Sequence, residues 1–188
     1  VVEPHLNGPG GEVPIIHRSA ETGKIEVICG QGTAPAGATI AHYRGEGLDM
    51  VPGSGLLATV IPGAFDAWML LLRDHGTMEP SEVMEFAIGY AEGGYPLVPL
   101  ICDTIETVAE LFRDEWTTSA ELYLPKGKPP EPRTLFRNRA LAGTYRRRSA
   151  EGDAAGHSRE RRIEAMRRAW REGFVAEEWY ADDTAGTR

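Results

Sequence analysis

The segment 61–96 constrains the fold of this chain more than any other part of the sequence. It opens with a Pro-Gly turn at 61–63, and apolar residues at helical spacing then predict a helix over 65–75. Gly76 suits the end of that helix, and a second amphipathic pattern predicts a helix over 80–92. The local pattern predicts a helical hairpin and, by itself, no particular function.

The residues between these two helices carry recognisable start and stop signals. Thr77 and Glu79 are both candidate N-caps of the second helix. Pro80 suits the first helical position, and Glu82 places a negative charge near the positive end of the helix dipole. A short, sharply bounded connection is therefore expected.

Outside this segment the chain is predicted to be mostly helical, with one antiparallel β-hairpin. The hairpin comprises Val13–Arg18 and 24–29, joined by a Gly-containing loop. A lone two-stranded hairpin is marginal, so we expect its partner strands to lie elsewhere in a longer protein. The fold class is α+β, with residues 1–181 as a single partial domain and 182–188 as a frayed or disordered tail. Other expected elements are a short helix over 36–44, helices over 99–116, 136–149 and 158–170, a break at 152–157 and a Pro-rich linker over 124–134.

The charge distribution argues against general nucleic-acid binding. The chain has 188 residues and a formal net charge of -8, although arginines concentrate between 133 and 171. We interpret these arginines as helix faces paired with neighbouring acids; a phosphate-binding patch is the alternative, but no aromatic interleaving supports it. No apolar run is long enough to cross a bilayer, so no membrane partner is predicted.

The residues that most often carry chemistry do not form a recognisable linear motif. Cys29 and Cys102 are far apart and are interpreted as small apolar core residues. The five histidines are scattered without HxH, HExxH or His/Cys spacing, so we predict no metal site and no cofactor. Ser54, between two glycines, is interpreted as a turn residue.

Two further features stay open. The loop 7–11 contains glycines whose N–H groups are able to surround an anion, but it lacks the strand–loop–helix setting of a phosphate loop. The chain opens with Val1 and has no initiator Met, so we expect a fragment or a processed piece. The opening residues therefore do not reveal the compartment, and cytoplasm is only slightly favoured.

Several of these motifs occur in an order and spacing that resembles the large subunit of γ-glutamyltransferases. The resemblance is close over residues 3–96 and looser over 97–179. The matching runs are Asn7-Gly8-x-Gly10-Gly11, Ala-Pro-Ala-x-Ala-Thr at 34–39, the Pro-Gly turn at 61–63 and Ala-Ile-x-x-Ala-Glu-x-Gly at 87–94.

The resemblance implies an N-terminal nucleophile hydrolase with an αββα sandwich that cleaves its own chain. In that family the N-terminal Thr of the small subunit attacks an amide carbonyl. That Thr has no counterpart in this sequence, so no catalytic residue is assigned here. The resemblance identifies the chain as the front part of a large subunit. Its expected partners are the small subunit, or the C-terminal part of the same precursor, and a small-molecule amide substrate.

One position departs from the family pattern. Glutamate-specific members have an Arg three residues before the Ala-Pro pair, and this Arg binds the substrate α-carboxylate through its charged guanidinium fork. Here that position is Gln31, which is neutral. Gln31 is therefore the candidate substrate-binding residue. The alternative is that Gln31 is a loop residue whose side chain hydrogen-bonds to the backbone. A relative acting on another acyl amide, such as a side-chain acylase or a small amidohydrolase, is as well supported as a glutathione-cleaving enzyme.

A second function from another class stays open. A non-catalytic helical scaffold or binding module that retains only this region would show the same apolar stripes. Continuation of the gene into a segment opening with Thr favours the enzyme, and a reading frame ending near residue 188 favours the module.

Overall fold

A β-hairpin begins the regular structure of this chain in the computed structural model, which describes residues 1–178. Strands β1, Val13–Arg18, and β2, Ile25–Gly30, pair antiparallel with His17 opposite Glu26. The hairpin prediction is confirmed, although β2 starts one residue later than expected. The helices that follow are α1 Ile40–Gly45, α2 Ala64–His75, α3 Pro80–Gly93, α4 Pro99–Thr107, α5 Ala109–Asp114, α6 Thr117–Tyr123, α7 Arg139–Ala154 and α8 Arg159–Arg171.

The two faces of the hairpin have different environments. Alternate residues, from Val13 to His17 on β1 and from Glu26 to Gly30 on β2, face α2 and are partly or fully buried. On the other face, Ile16 is 76% exposed and Val27 is 68% exposed. An amphipathic strand pair normally buries its apolar face, so this outer face lacks cover within the described residues.

The helical hairpin predicted from 61–96 is confirmed by α2 and α3. The backbone N–H of Gly76 donates to the carbonyl of Leu72 at 3.0 Å, which ends α2. Glu79 is the N-cap of α3, and its N–H donates to the Glu82 carboxylate at 3.0 Å. These local bonds satisfy backbone groups that a helix end leaves free, so the connection is short.

The single helix predicted over 99–116 is interrupted at Val108. Val108 has φ -110° and ψ 7°, and it separates α4 from α5. Just before the break, the Thr104 hydroxyl donates to the Leu100 carbonyl at 2.8 Å and the Thr107 hydroxyl to the Thr104 carbonyl at 2.7 Å. Threonine hydroxyls that bond the preceding turn bend helices, which accounts for the interruption.

The break predicted at 152–157 starts later than expected, because α7 continues through Gly152 to Ala154. A Cβ at Gly152 would lie 2.9 Å from Cγ of Met166 on α8. The glycine therefore permits close packing of α7 against α8, and its low helix propensity does not end the helix. The cap predicted at Ser158 is present, since its hydroxyl accepts from the Arg161 N–H.

A second small sheet was not predicted. Strands β3, Tyr95–Pro96, and β4, Leu135–Phe136, pair antiparallel and bring the end of α3 beside the start of α7. Tyr95, Leu97, Ile101 and Phe136 belong to one apolar cluster beneath this sheet. Such a pairing joins residues about 40 apart in sequence, and no local periodicity predicts it.

The main core lies where α2, α3, α7 and α8 meet. Its buried side chains are Phe65, Met69, Met84, Ile88, Tyr145, Ile163, Met166, Trp170 and Val175. The α+β prediction is confirmed. Within residues 1–178, no helix combines the length and apolarity that crossing a membrane requires. The predicted tail 182–188 lies outside the described residues.

Candidate functional site

The loop that carries Gln31 is held by close backbone contacts. Gly32 has φ 77°, and a Cβ there would lie 1.9 Å from the carbonyl oxygen of Ile61. The Ile61 N–H donates to the Thr33 carbonyl at 2.9 Å. A Cβ at Gly63 would lie 2.7 Å from the carbonyl oxygen of Gly30. The loop after β2 and the Pro-Gly turn before α2 therefore touch through glycine backbone, where no other residue fits.

The side chain of Gln31 is exposed and contacts the neighbouring cysteine. The Cys29 thiol donates to Oε1 of Gln31 with a sulfur–oxygen distance of 3.6 Å. Cys29 is itself exposed, so the prediction that it is a core residue is wrong, whereas Cys102 is buried as expected. The substrate-binding role of Gln31 stays a prediction.

The N-terminal loop 7–11 packs against the same region and is closed by its own hydrogen bonds. Asn7 Oδ1 accepts from the Gly8 N–H at 2.7 Å, and the Gly11 N–H donates to the Gly8 carbonyl at 3.0 Å. The Ala64 N–H donates to the Gly11 carbonyl at 3.1 Å. Two of the N–H groups suggested for anion binding are thus occupied within the loop. Its observed contribution is to fix the start of α2.

Helix α8 braces the Pro-Gly turn from the other side. Trp170 Nε1 donates to the Pro62 carbonyl at 3.3 Å, and its ring stacks on Phe65 with centroids 5.0 Å apart. Arg167 donates to both carboxylate oxygens of Asp66, at 2.8 and 3.0 Å. These hydrogen bonds raise the pKa of Arg167. The turn beside Gln31 is therefore supported by residues about 100 positions later in the chain.

The arginines of α7 and α8 only partly follow the predicted pairing with acids. Arg147 forms an exposed ion pair with Glu151, one helical turn later, at 3.4 Å. Arg148, in contrast, is fully buried, donates to the Met166 carbonyl and lies over the Phe65 ring at 3.5 Å from its centroid. Burial lowers the pKa of Arg148 to about 9. Sequence periodicity did not distinguish this core arginine from its neighbours Arg146 and Arg147.

The fold brings together two of the histidines that are scattered in sequence. The rings of His17 and His75 lie with centroids 3.9 Å apart, and Glu26 is beside them. The expectation of no metal site rested on linear spacing alone. A cross-strand signal was available, because His17 and Glu26 are both on the predicted hairpin. His75 was placed beside them only by the packing of α2.

The remaining candidates have no chemistry of their own in this structure. Ser54 is an exposed residue in a bend next to Gly55, which has φ 85°. An apolar cavity of about 440 Å³ lies between the N-terminal segment and helices α2 and α3, lined by side chains such as Leu6, Trp68 and Val83. It contains no convergent set of nucleophile, base and oxyanion donors.

The known proteins that resemble this chain include two curated bacterial proenzymes. A glutathione hydrolase-like YwrD proenzyme of Bacillus subtilis strain 168 is 30% identical over 156 residues, covering 82% of this chain and 29% of the relative. An oxamate amidohydrolase proenzyme of Klebsiella pneumoniae is 31% identical over 158 residues, covering 81% and 29%. The chain therefore spans about 29% of the length of these curated relatives.

A solved structure and a family model also match this chain. The structure of LmbA2991T421A superposes with a TM-score of 0.89 at 60% sequence identity, covering 94% of this chain and 30% of that one. The family model described as Gamma-glutamyltranspeptidase matches residues 1–178. A match of that extent confirms the resemblance inferred from the turn motifs, and the proenzyme names of the relatives fit a self-processing family. This chain belongs to the gamma-glutamyltranspeptidase family.

Proposed function

We propose that this chain is a large-subunit portion of an enzyme that hydrolyses or transfers an acyl group from an amide, with its Thr nucleophile outside these residues. The family match over residues 1–178 carries this proposal, together with the proenzyme relatives of which the chain spans about 29%. The chain's own contribution is to shape and support the substrate pocket.

The exposed outer face of the β-hairpin is evidence for the partner segment that this function requires. Ile16, Ile25 and Val27 are 76%, 65% and 68% exposed and are contiguous on one face of two paired strands. Burying a side chain of this size stabilises a protein by about 1.5–3 kcal/mol. The remainder of the same precursor, or its small subunit after processing, would cover this face and complete the sheet.

The proposal extends to substrate choice through Gln31. With Oε1 turned toward the Cys29 thiol, the Nε2 group is the end of this side chain that a substrate oxygen would contact. A neutral amide forms a weaker bond to a carboxylate than a charged guanidinium fork, by about 1–2 kcal/mol. We therefore expect γ-glutamyl amides to be poor substrates compared with acyl amides that lack the α-carboxylate.

The experiment compares variants of the complete, processed protein on two anilides of the same acyl chain, one with and one without the α-carboxylate. Gln31→Arg is expected to raise kcat/KM on the glutamyl anilide, mainly through KM, by about tenfold for each 1.4 kcal/mol recovered. Gln31→Lys supplies charge without the planar fork and should gain less. Gln31→Met should change kcat/KM only slightly on the anilide that lacks the α-carboxylate.

Two results would contradict the proposal. Efficient wild-type turnover of the glutamyl anilide, unchanged or worsened by Gln31→Arg, would show that position 31 does not set specificity. Hydrolysis of either anilide by residues 1–188 alone would contradict a nucleophile outside the chain. A reading frame that ends near residue 188 would instead favour the non-catalytic binding module.

A further inference from the structure

Three side chains that commonly bind metals meet at one end of the hairpin. His17 lies on β1, Glu26 lies opposite it on β2, and His75 is the last residue of α2. One donor atom from each residue lies within 4.8 Å of the other two. None of these residues belongs to the Gln31 loop.

The contacts among the three residues leave space between their donor atoms. His75 Nε2 is 3.6 Å from Oε2 of Glu26, which is longer than a hydrogen bond. The other carboxylate oxygen, Oε1, contacts Lys24 Nζ at 2.6 Å. The ring planes of His17 and His75 are inclined by 31°. Oε2 and the two imidazoles are thus close without bonding one another directly.

His17 supplies a second, independent observation. Its Nδ1 atom is buried and has no hydrogen-bond partner among the described residues. A buried polar atom without a partner costs about 1–3 kcal/mol, so such atoms usually have a ligand, a water or an ion beside them. A cation bound through Nδ1 would remove that cost.

The donor types select the ion. Two imidazole nitrogens and one carboxylate oxygen form a set that zinc binds with a water in the fourth position. Mg²⁺ and Ca²⁺ prefer oxygen donors and are disfavoured here. Around a tetrahedral zinc at about 2.0–2.1 Å from each ligand, donor atoms lie roughly 3.3 Å apart. His75 Nε2 and Glu26 Oε2 are already 3.6 Å apart, and no two of the three donor atoms are more than 4.8 Å apart. Binding would therefore require shifts of about 1.5 Å or less.

We propose that His17, Glu26 and His75 bind one zinc ion that ties the β-hairpin to the C-terminal end of α2. The opposite end of the hairpin is already fixed, because Gly30 packs against Ala67 near the start of α2. From Glu26 to Gln31 an extended strand covers about 16 Å, so the ion would lie away from the proposed substrate contact. The role proposed for the ion is to hold the hairpin against α2, and it is independent of the proposed acyl transfer.

The test uses the complete protein without a histidine tag, stripped of metal by a chelator and dialysed. Zinc is then titrated calorimetrically, and Co²⁺ is added separately to record its visible absorption. The wild type is expected to bind one zinc per chain at this site and to give the intense bands of four-coordinate cobalt. His17→Gln and His75→Gln should each weaken zinc binding by more than about 100-fold, since even second-shell changes cost 10–100-fold.

Two controls separate metal binding from general effects. His42→Gln removes an exposed histidine on α1 and should leave zinc binding unchanged. Lys24→Met frees Oε1 of Glu26 from its ion pair and should leave the affinity equal or higher. Far-ultraviolet circular dichroism of each metal-free variant, matched to the metal-free wild type, confirms that the fold is retained.

Either of two outcomes overturns the proposal. One is a wild type that takes up no zinc in the titration. The other is zinc binding that persists undiminished when His17→Gln and His75→Gln are combined. The thermal midpoint adds a further readout, because an ion that binds only the folded state must raise it in the wild type and not in the double variant.

Discussion

Arg167 holds Asp66 in a bidentate contact, with Nε donating to Oδ1 at 2.8 Å and Nη2 donating to Oδ2 at 3.0 Å. Arg167 also donates from Nη1 to the Glu164 carboxylate at 2.6 Å. Its side chain is only 8% exposed, and that of Asp66 is 20% exposed. The contact joins α8 to the first turn of α2, directly beside the Pro-Gly turn that supports the Gln31 loop.

Asp66→Asn should destabilise the protein measurably. The substitution removes a charge-assisted pair that is mostly shielded from water and leaves Arg167 with one carboxylate partner fewer, at a cost of about 2–3 kcal/mol. It also removes a negative charge from the first turn of α2, which adds a few tenths of a kcal/mol. Urea unfolding of the complete protein measures the difference.

Asp74→Asn on the same helix is the matched control. Asp74 contacts Arg73 at 2.7 Å, but both side chains are substantially exposed. An exposed pair contributes about 0–1 kcal/mol. Equal losses in the two variants would show that the contact between Arg167 and Asp66 has no special stabilising role.

Gly32→Ala should perturb the Gln31 loop. The position has φ 77°, and the new Cβ would lie 1.9 Å from the Ile61 carbonyl oxygen, so the loop must move. We expect a loss of stability of about 1–3 kcal/mol and a higher KM in the complete enzyme. Gly37→Ala, where a Cβ has open space, is the control. The prediction fails if the two alanine variants are indistinguishable in KM and unfolding.

Tyr145→Phe should make the protein less sensitive to alkali. Burial raises the pKa of Tyr145 to about 12. Between pH 10 and 12 the unfolded state therefore loses the phenol proton first, and the stability of the folded state falls as pH rises. Phenylalanine has no proton to lose, so the fall between pH 8 and 11 should be smaller by about 1.4 kcal/mol.

Urea unfolding at these two pH values measures the effect. Tyr90→Phe is the comparison, because Tyr90 is 50% exposed. It should leave the alkaline loss unchanged. A Tyr145→Phe curve that parallels the wild type would mean that the buried phenol ionises equally in both states.

Arg159→Gln should weaken the junction between α2 and α8. The Arg159 guanidinium donates to the backbone carbonyls of Leu72, Arg73, Gly76 and Met78. Carbonyls at a helix end lack intrahelical donors, and a cation there also complements the helix dipole. The expected loss is about 1–3 kcal/mol in urea unfolding. Arg161→Gln, at an exposed position on the same helix, should cost under about 0.5 kcal/mol.

Local sequence signals predicted the helices well wherever capping and periodicity agree. The start of α3 is an example, since Pro80 and the bond from Glu79 to Glu82 need only neighbouring residues. The same local view failed at Val108 and Gly152. At Val108, threonine hydroxyls compete for helix carbonyls, and at Gly152, packing against Met166 outweighs low helix propensity.

The sequence by itself determined the helical hairpin, the β-hairpin and, through its turn motifs, the family. It did not determine which side chains meet. The predicted hairpin put His17 and Glu26 on paired strands but did not fix the register, and a slip of one residue would move every side chain to the opposite face of a strand. The structure fixed the register that sets Glu26 opposite His17, and the packing of α2 added His75. The burial of Arg148 and the contact between Arg167 and Asp66 have the same cause, because they join segments about 80–100 residues apart that no local pattern relates.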